Sequence, residues 1–420
     1  MKRALASTAV AAAALALVVA AAATATATAA PTAGGKGGPY AARGICAGYP
    51  KVDLRTPAGW CVALLADAGA GLRFPRRVLE VEPGRYWLID MGSWEPSRGR
   101  LLEFALPGRS ATLPAPVVFT VLADKLDRPL GIVRGPDGKV WIGEAGRISR
   151  VDIGPVGRPV KLEPVIDGLA SSGAHPLKEL VFGANGRLYF NVGSATDACR
   201  DAAGVQPVPC PEIDGPAPRA AVWEATLGPA PAFPLQATRP FARGLRNSVA
   251  LAFVPGPDVL LQGENSIDYA DESAPPEELN VLLDGVHYGW PYCTGAQVAA
   301  RGYEGRFDCA RTEAPARLWP AHAAPLQMLA VPPGAANAFA GQLLVAWHGC
   351  RAGGHRIVGQ PLDAKGRPQG APTIWVDGWT ARASVRPLGA PTGIALDSAG
   401  RLLIVEDRHK TLLMLVRDAP

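Results

Sequence analysis

The sequence predicts an all-β fold, a six-bladed β-propeller, on two observations. The chain carries 48 glycines and 41 prolines among 420 residues, a composition that favours strands and turns over long helices. A pattern of apolar strand, Gly-containing turn and second apolar strand also recurs six times. The copies are spaced at roughly 50 to 75 residues, enough for a propeller blade of about 40 residues with its loops.

The sequence signal for a hairpin is clearer in some of the six copies than in others. The clearer copies turn at Pro83-Gly84, Asp137-Gly138 and Asn185-Gly186, and the last two pairs are strong hairpin signals because both turn residues must accept positive φ. Taken with the weaker copies, the six hairpins cover residues 78–89, 130–142, 177–190, 249–261, 326–345 and 392–405. A β-sandwich followed by a second domain is the alternative. It is disfavoured because the copies continue without an intervening linker.

The N-terminus has the pattern of a secretory signal peptide. Lys2 and Arg3 precede a run of Ala, Leu and Val, and small-residue exits follow. We therefore expect a signal peptide over 1–30, a flexible leader over 31–45 and the propeller over 46–420, in a periplasmic or secreted protein. A membrane anchor is the alternative. No later stretch offers the ~18 continuous apolar residues of a spanning helix.

The seven cysteines and the small net charge indicate which covalent links and which partners to expect. Six cysteines form neighbouring pairs, which in an oxidising compartment predict the disulfides Cys46–Cys61, Cys199–Cys210 and Cys293–Cys309. Cys350 is left over and is expected to be an unreactive thiol. The formal charge of +5 is too small to indicate nucleic acid as a partner.

In a propeller the residues before each repeat's first strand point to one mouth of the central channel. Several of these positions carry Arg or His, which favours a small ligand with several negative charges. Solvated or paired arginines on loop edges are the alternative. The segments are Arg76-Arg77, Arg128-Pro129, His175-Pro176, Arg246-Asn247, His322 to Pro325 and Ala390-Pro391.

A long segment from Gly263 to Pro291 is rich in carboxylates and turn carbonyls. Such oxygens are what calcium requires, since it takes six to eight oxygen ligands; a plain acidic surface loop would look similar. The signatures of α/β-hydrolases, zinc peptidases, Walker-type nucleotide binders and Rossmann dehydrogenases are absent from the sequence. The carboxylates are Asp268, Asp271, Glu272, Glu277 and Glu278.

Several of these segments together resemble the glucose/sorbosone dehydrogenase family, whose members depend on pyrroloquinoline quinone (PQQ). The resemblance covers the chain from about residue 70 to its end. The segments that carry it are Gly-Leu-Arg246-Asn247, Pro-Pro-Glu-Glu278-Leu-Asn280, Tyr288-Gly-Trp-Pro291, His175-Pro with Leu188 to Ser194, and Trp347-His348-Gly-Cys350-Arg351.

The resemblance implies a function and a set of site residues. It implies an exported six-bladed propeller that oxidises a sugar's hydroxyl or aldehyde group and passes electrons from PQQ, held with calcium, to an external acceptor. His175 would be the general base, a role that suits imidazole with its ordinary pKa of about 6.5. The cofactor contacts would be Arg246, Asn247, Arg128 and Arg351. The calcium site would comprise the backbone carbonyls of Asn265 and Ser266, with the acidic side chain of Glu278 near the metal.

Three departures from the family pattern bear on these implications. Ser194 to Cys199 replaces an acidic or amide segment and looks like the sorbosone-dehydrogenase branch. The loop at Cys350 is shortened, and Ala390 stands where Arg is common, so two potential cofactor contacts are lost. Two other functions are therefore kept open: a calcium-dependent propeller hydrolase of lactones or esters, and a non-catalytic propeller that binds a glycan or a protein.

Overall fold

The chain is all-β, and its strands form six sheets. The computed structural model describes residues 40, 42–106, 116–215, 217–349, 351–379 and 389–418. Within these residues lie 28 strands and two short 3-10 helices, Ala68–Ala70 and Cys309–Arg311. Five sheets have four antiparallel strands, the sixth has six, and a two-stranded hairpin stands apart. The prediction of a six-bladed β-propeller is confirmed.

The first half of the chain supplies an N-terminal hairpin with a third strand and then three blades. The N-terminal strands are β1 (Ala42–Cys46), β2 (Tyr49–Val52) and β3 (Trp60–Ala66). Blade one contains β4 (Pro75–Glu82), β5 (Arg85–Asp90), β6 (Gly99–Ala105) and β7 (Thr120–Leu126). Blade two contains β8 (Ile132–Arg134), β9 (Val140–Gly143), β10 (Ile148–Val151) and β11 (Glu163–Ile166). Blade three contains β12 (Leu180–Phe182), β13 (Leu188–Val192), β14 (Ala221–Leu227) and β15 (Leu235–Arg243).

The second half supplies the remaining three blades. Blade four contains β16 (Ala250–Val254), β17 (Val259–Glu264), β18 (Glu277–Val281) and β21 (Arg317–Trp319), with the hairpin β19 (Cys293–Thr294) and β20 (Val298–Ala299) inserted before its last strand. Blade five contains β22 (Pro325–Ala330), β23 (Gln342–Trp347), β24 (Arg356–Pro361) and β25 (Thr373–Val376). Blade six contains β26 (Pro391–Leu396), β27 (Leu402–Glu406) and β28 (Thr411–Arg417).

The two ends of the chain close the ring together. β3 pairs with β28 as the outer strand of blade six, and β2 and β1 extend that sheet. A shared blade protects the edges that an open ring would leave. β1 begins at Ala42, within the segment that the sequence analysis assigned to a flexible leader. Among the residues that the structure describes, no helix is long and apolar enough to cross a bilayer.

Each predicted hairpin is the inner pair of strands of one blade, and its turn chemistry explains why. Asp137 accepts the backbone N–H of Lys139 and the indole N–H of Trp141, at 3.1 and 3.0 Å. Gly138 supplies the positive φ that this turn needs, 75°. Asp397 repeats the arrangement in blade six by accepting two backbone N–H groups of its own turn. The carboxylate therefore fixes the turn, and the turn fixes the register.

The predicted disulfides are confirmed, and one joins two strands of the blade-six sheet while two hold long loops. Cys46–Cys61 ties β1 to β3. Cys199–Cys210 and Cys293–Cys309 lie in two loops that pack together around Trp290, Tyr292 and Tyr303. These loops form a small second core above blades three and four. Cys350 lies outside the described residues.

The six inner strands surround Arg77, whose side chain is fully buried at the propeller axis. Its guanidinium donates to Glu179 before β12, at 2.7 Å, and to the carbonyl oxygen of Thr392 in β26, at 2.6 Å. It also donates to the carbonyls of Leu326 in β22, at 2.5 Å, and Val249 before β16, at 3.3 Å. One side chain of blade one thus joins four other blades and closes the channel below the mouth.

We predict that Arg77→Ala strongly destabilises the protein. Removing one partner of a buried ion pair leaves the other charge uncompensated and costs about 3–5 kcal/mol. Urea unfolding measures the change. Arg55→Ala is the matched control, because Arg55 forms an ion pair with Asp377 at the surface and such pairs contribute about 0–1 kcal/mol. Equal unfolding midpoints for Arg77→Ala and Arg55→Ala would contradict the proposed role of Arg77.

Candidate active site

A cavity of about 630 Å³ opens at the mouth of the channel, above Arg77. Its floor is apolar and is built by Phe74, Leu177, Val249 and Leu326, which pack as one cluster. Its walls are polar and come from the starts of inner strands and the segments before them, from the loop after β23 and from the turn between β27 and β28. The polar wall residues are Arg76, His175, Asn247, His348, Asp407, Arg408 and Lys410.

His175 stands on the wall with a defined hydrogen-bonding state. Its Nδ1 lies 2.8 Å from Ser194 Oγ and 3.1 Å from the Ser194 carbonyl oxygen. The Ser194 hydroxyl donates its own proton to the Thr196 carbonyl, at 2.7 Å, so both Ser194 oxygens can only accept from the ring. Nδ1 therefore carries the proton. Nε2 has no hydrogen-bond partner among the described residues, so its lone pair is available.

The electrostatics keep this imidazole neutral. Burial, followed by the positive charge of Arg246, lowers the pKa of His175 from 6.5 to about 3. The close backbone of Gly193 also fixes the ring's position, since a Cβ at Gly193 would meet His175 Cβ at 2.5 Å. His175 is thus held as a neutral ring with a free Nε2, which is the form that a general base needs.

A second imidazole lies in the same cavity within an ionic network. Asp407 bridges His348 Nε2, at 3.0 Å, and Arg76 Nη1, at 2.7 Å. Burial opposes ionisation of Asp407, but His348 and Arg76 together hold its pKa below the usual value. The carboxylate is therefore charged, and it neutralises the cation nearest the cavity floor.

The turn between β27 and β28 brings two further cations, Arg408 and Lys410. No carboxylate of the described chain lies within ion-pair distance of either side chain. The Nε atoms of Arg408 and Arg76 are buried without a hydrogen-bond partner among the described residues. Buried N–H donors without partners are costly, and an acceptor on a ligand bound in the cavity would offset that cost. The cavity thus fits a planar, multiply anionic ligand such as the PQQ tricarboxylate.

The structure separates the predicted cofactor residues Arg246 and Asn247. Asn247 lines the cavity. Arg246 is buried beside it and donates to the Asn265 carbonyl at 3.0 Å, and its Nη2 lies 2.6 Å from an Asp197 carboxylate oxygen. Trp290 also donates to the Asp197 carbonyl, at 2.9 Å. Asp197 therefore links two of the segments that suggested the resemblance, the one with Arg246 and the one with Trp290.

Arg128 and Arg351 lie away from the cavity lining. Arg128 forms a two-pronged contact with the neighbouring Asp127, at 2.8 and 3.1 Å. Arg351 donates to the Asp271 carbonyl at 3.2 Å and lies 2.8 Å from His322 Nε2, in a loop beside blade five. Both guanidinium groups are thus engaged by the protein itself.

Two of the three residues predicted to hold calcium already accept hydrogen bonds within the chain. The Asn265 carbonyl accepts from the Arg246 guanidinium at 3.0 Å, whereas no group of the described residues donates to the Ser266 backbone carbonyl. Both oxygens of Glu278 accept N–H groups, and burial raises the pKa of Glu278 to about 7. Within the described residues no three His, Cys, Asp or Glu side chains are grouped to hold a metal ion. The calcium site therefore stays a prediction.

Sequence reasoning missed Arg408, Lys410 and Ser194 as site residues. Arg408 and Lys410 belong to the charged run from Glu406 to Lys410, directly after a strand of the last repeat, and this run was the available signal. Ser194 lay within the quoted histidine segment. Its role needed the contact across 19 residues that only the fold reveals.

We predict that His175 stays neutral, with Nδ1 protonated, from pH 8 down to at least about pH 5, because its pKa lies near 3. ¹⁵N-edited NMR of the imidazole rings measures this, with His175→Gln to assign the signal. The unfolded chain protonates near pH 6.5, so the associated stability is present above that pH and is lost as pH falls towards 3. A His175 midpoint near 6.5 would contradict the described environment.

No family model matches the chain, and neither does any curated protein. Solved structures match over most of its length. A family AA12 carbohydrate-active enzyme of Trichoderma reesei has a TM-score of 0.69 at 18% identity, over 89% of this chain and 100% of that one. The PQQ domain of a pyranose dehydrogenase from Coprinopsis cinerea has 0.68 at 18%, over 88% and 98%. The PQQ-bound aldose sugar dehydrogenase of Streptomyces coelicolor has 0.55 at 19%, over 86% and 99%. The chain therefore has the same propeller fold as these sugar-oxidising and carbohydrate-active proteins.

Proposed function

We propose that the protein is a PQQ-dependent dehydrogenase that oxidises a hydroxyl or aldehyde group of a sugar and passes the electrons to an external acceptor. The observation that carries the proposal is the free Nε2 of a neutral His175 in a cavity with unpaired cationic donors. The combination matters because each feature alone fits an alternative function. A general base without an anion-binding site would suit many hydrolases, and an anion-binding site without a general base would suit a non-catalytic binding protein.

The residues divide into those that would hold the cofactor and one that would move a proton. Arg408 and Lys410 would bind cofactor carboxylates, and Asn247 would donate a hydrogen bond from its side-chain amide. The apolar floor excludes water and gives the flat ring a surface to lie on. When bound, PQQ supplies the acceptor for a hydride, which carries two electrons away from the substrate carbon.

His175 would accept the proton of the substrate hydroxyl at Nε2. The hydride leaves the carbon as this O–H bond breaks, so the substrate loses two electrons and two hydrogens and a carbonyl group forms. The Ser194 oxygens would keep accepting the hydrogen bond from Nδ1–H of the imidazolium, which keeps the ring oriented. Because the low pKa disfavours a lasting charge on the ring, the proton would pass on to solvent or the reduced cofactor.

The proposal also covers the cellular location and the family branch of the enzyme. We propose a signal peptide over residues 1–30 and a periplasmic or secreted location, which the three disulfides support. We keep the assignment to the sorbosone-dehydrogenase branch as part of the proposal, on the segment that begins at Ser194. A requirement for calcium remains a prediction of the resemblance. Activity is therefore measured both with and without added calcium.

We predict that the purified apoprotein, given PQQ, reduces an artificial electron acceptor with at least one aldose or sugar aldehyde. Dye reduction is measured with and without calcium, because two of the three residues expected to bind it accept hydrogen bonds within the chain. A lactone and ester panel runs in parallel. If the sugar panel stays silent while lactones are hydrolysed, a propeller hydrolase replaces the proposed dehydrogenase.

We predict that His175→Ala lowers kcat by about 10²–10⁴-fold, the usual contribution of a general base. PQQ affinity and Tm should change little, because the ring sits on a loop. His348→Ala is the matched comparison, since it removes the other imidazole of the cavity. Full turnover in His175→Ala with loss in His348→Ala would move the base to His348.

We predict that Arg408→Ala weakens PQQ binding by about 10-fold or more, because a charged donor to a carboxylate is lost. Quenching of protein fluorescence by PQQ measures the affinity. Arg367→Ala is the matched control, because Arg367 is exposed in a turn of blade five, outside the cavity lining. Equal affinities for the two variants would remove the turn between β27 and β28 from the cofactor site.

A further inference from the structure

Trp94 is exposed at the rim of the cavity, in the loop between β5 and β6. The chain has ten tryptophans, all within the described residues, and Trp94 is the one classed as exposed, at 53%. What distinguishes Trp94 is its place at the cavity, where a large flat apolar face can be covered by a bound ligand. The flanking residues 95–98 are exposed Glu, Pro, Ser and Arg. The loop that follows Trp94 therefore adds no apolar surface to it.

The loop that carries Trp94 is rigidly closed. Gly92 has a φ of 74°, and a Cβ there would collide with the Arg98 carbonyl. Asp90 accepts the backbone N–H groups of Gly92, at 3.2 Å, and Phe74, at 2.6 Å. These contacts hold the start of the loop against the end of β5 and the segment that leads into β4. The indole is thus presented in one place.

The ring itself has defined neighbours on the cavity side. Phe74 meets Trp94 edge-on with ring centroids 6.3 Å apart, and the Arg76 guanidinium lies 5.9 Å from the indole. Arg76 is fixed in turn by Asp407. The arrangement presents an oriented aromatic face next to the polar cavity wall, as binding sites commonly do.

We infer that Trp94 stacks against the apolar face of a pyranose ring, so that the substrates bind as cyclic sugars rather than as open-chain polyols. This inference rests on the proposed function and deepens it. A pyranose with equatorial hydroxyl groups presents a flat face of polarised C–H groups, which the electron-rich face of an indole attracts. A protein partner would need a contiguous contact of about 1,000 Å² or more, which an isolated tryptophan does not offer.

Acrylamide quenching of fluorescence tests the stacking without turnover, since Trp94 is the exposed indole. Methyl β-D-glucopyranoside, whose anomeric oxygen is blocked, should lower the quenching constant by about half, because a stacked ring covers one face of the indole. Sorbitol has similar hydroxyl groups but no ring, and it should give no protection. Trp94→Phe should remove the protectable signal, whereas Trp223→Phe should keep it. Equal effects of glycoside and sorbitol would overturn the inference.

Kinetics with PQQ-loaded enzyme separate sugar stacking from cofactor stacking. Trp94→Ala should raise KM for an aldopyranose about fivefold, with a smaller change in kcat, and Trp94→Phe should restore most of the loss. If Trp94→Ala instead weakens PQQ binding and leaves KM unchanged, the indole stacks on the cofactor and the inference fails. If the glycoside protects Trp94 but no sugar is oxidised, the proposed function fails and the stacking stands.

Discussion

The buried guanidinium of Arg77 ties the inner strands of the propeller to one another at the axis. It meets a carboxylate from blade three and backbone carbonyls of blades four, five and six, so the blades share one set of hydrogen bonds. A fully buried cation is tolerated only where its donors are satisfied, and here blade closure supplies the acceptors. The same contacts block the channel, which turns its mouth into a closed-ended cavity.

This closure determines what the cavity can do. Residues that lead into the inner strands must end at one mouth, and that geometry brings His175, Asn247 and Arg76 together from three blades. Asp407 neutralises Arg76, while Arg408 and Lys410 keep their charge available. Burial and Arg246 keep His175 neutral. A cationic wall and an uncharged base can therefore coexist within one cavity.

The sequence predicted the fold well because each blade carries its own local signal. Asp137-Gly138 and Asn185-Gly186 fix turns through nearby groups, and the disulfide partners are neighbours in sequence. The site was harder to predict because it depends on contacts between blades. The ion pair of Arg128 with Asp127 is visible only in the fold. Arg408 is likewise separated by more than 300 residues from Arg76, which lines the same cavity. Charge and residue type are visible in a sequence, but the partner that neutralises a charge often is not.

We propose that PQQ binds in this cavity, where Arg408 and Lys410 would hold its carboxylates beside His175. A crystal structure of the protein grown with saturating PQQ is the decisive measurement. We expect quinone density above the apolar floor of Phe74 and Leu326, with His175 Nε2 facing it. An empty cavity at saturating PQQ, or PQQ bound at another surface, would rule out this cofactor site.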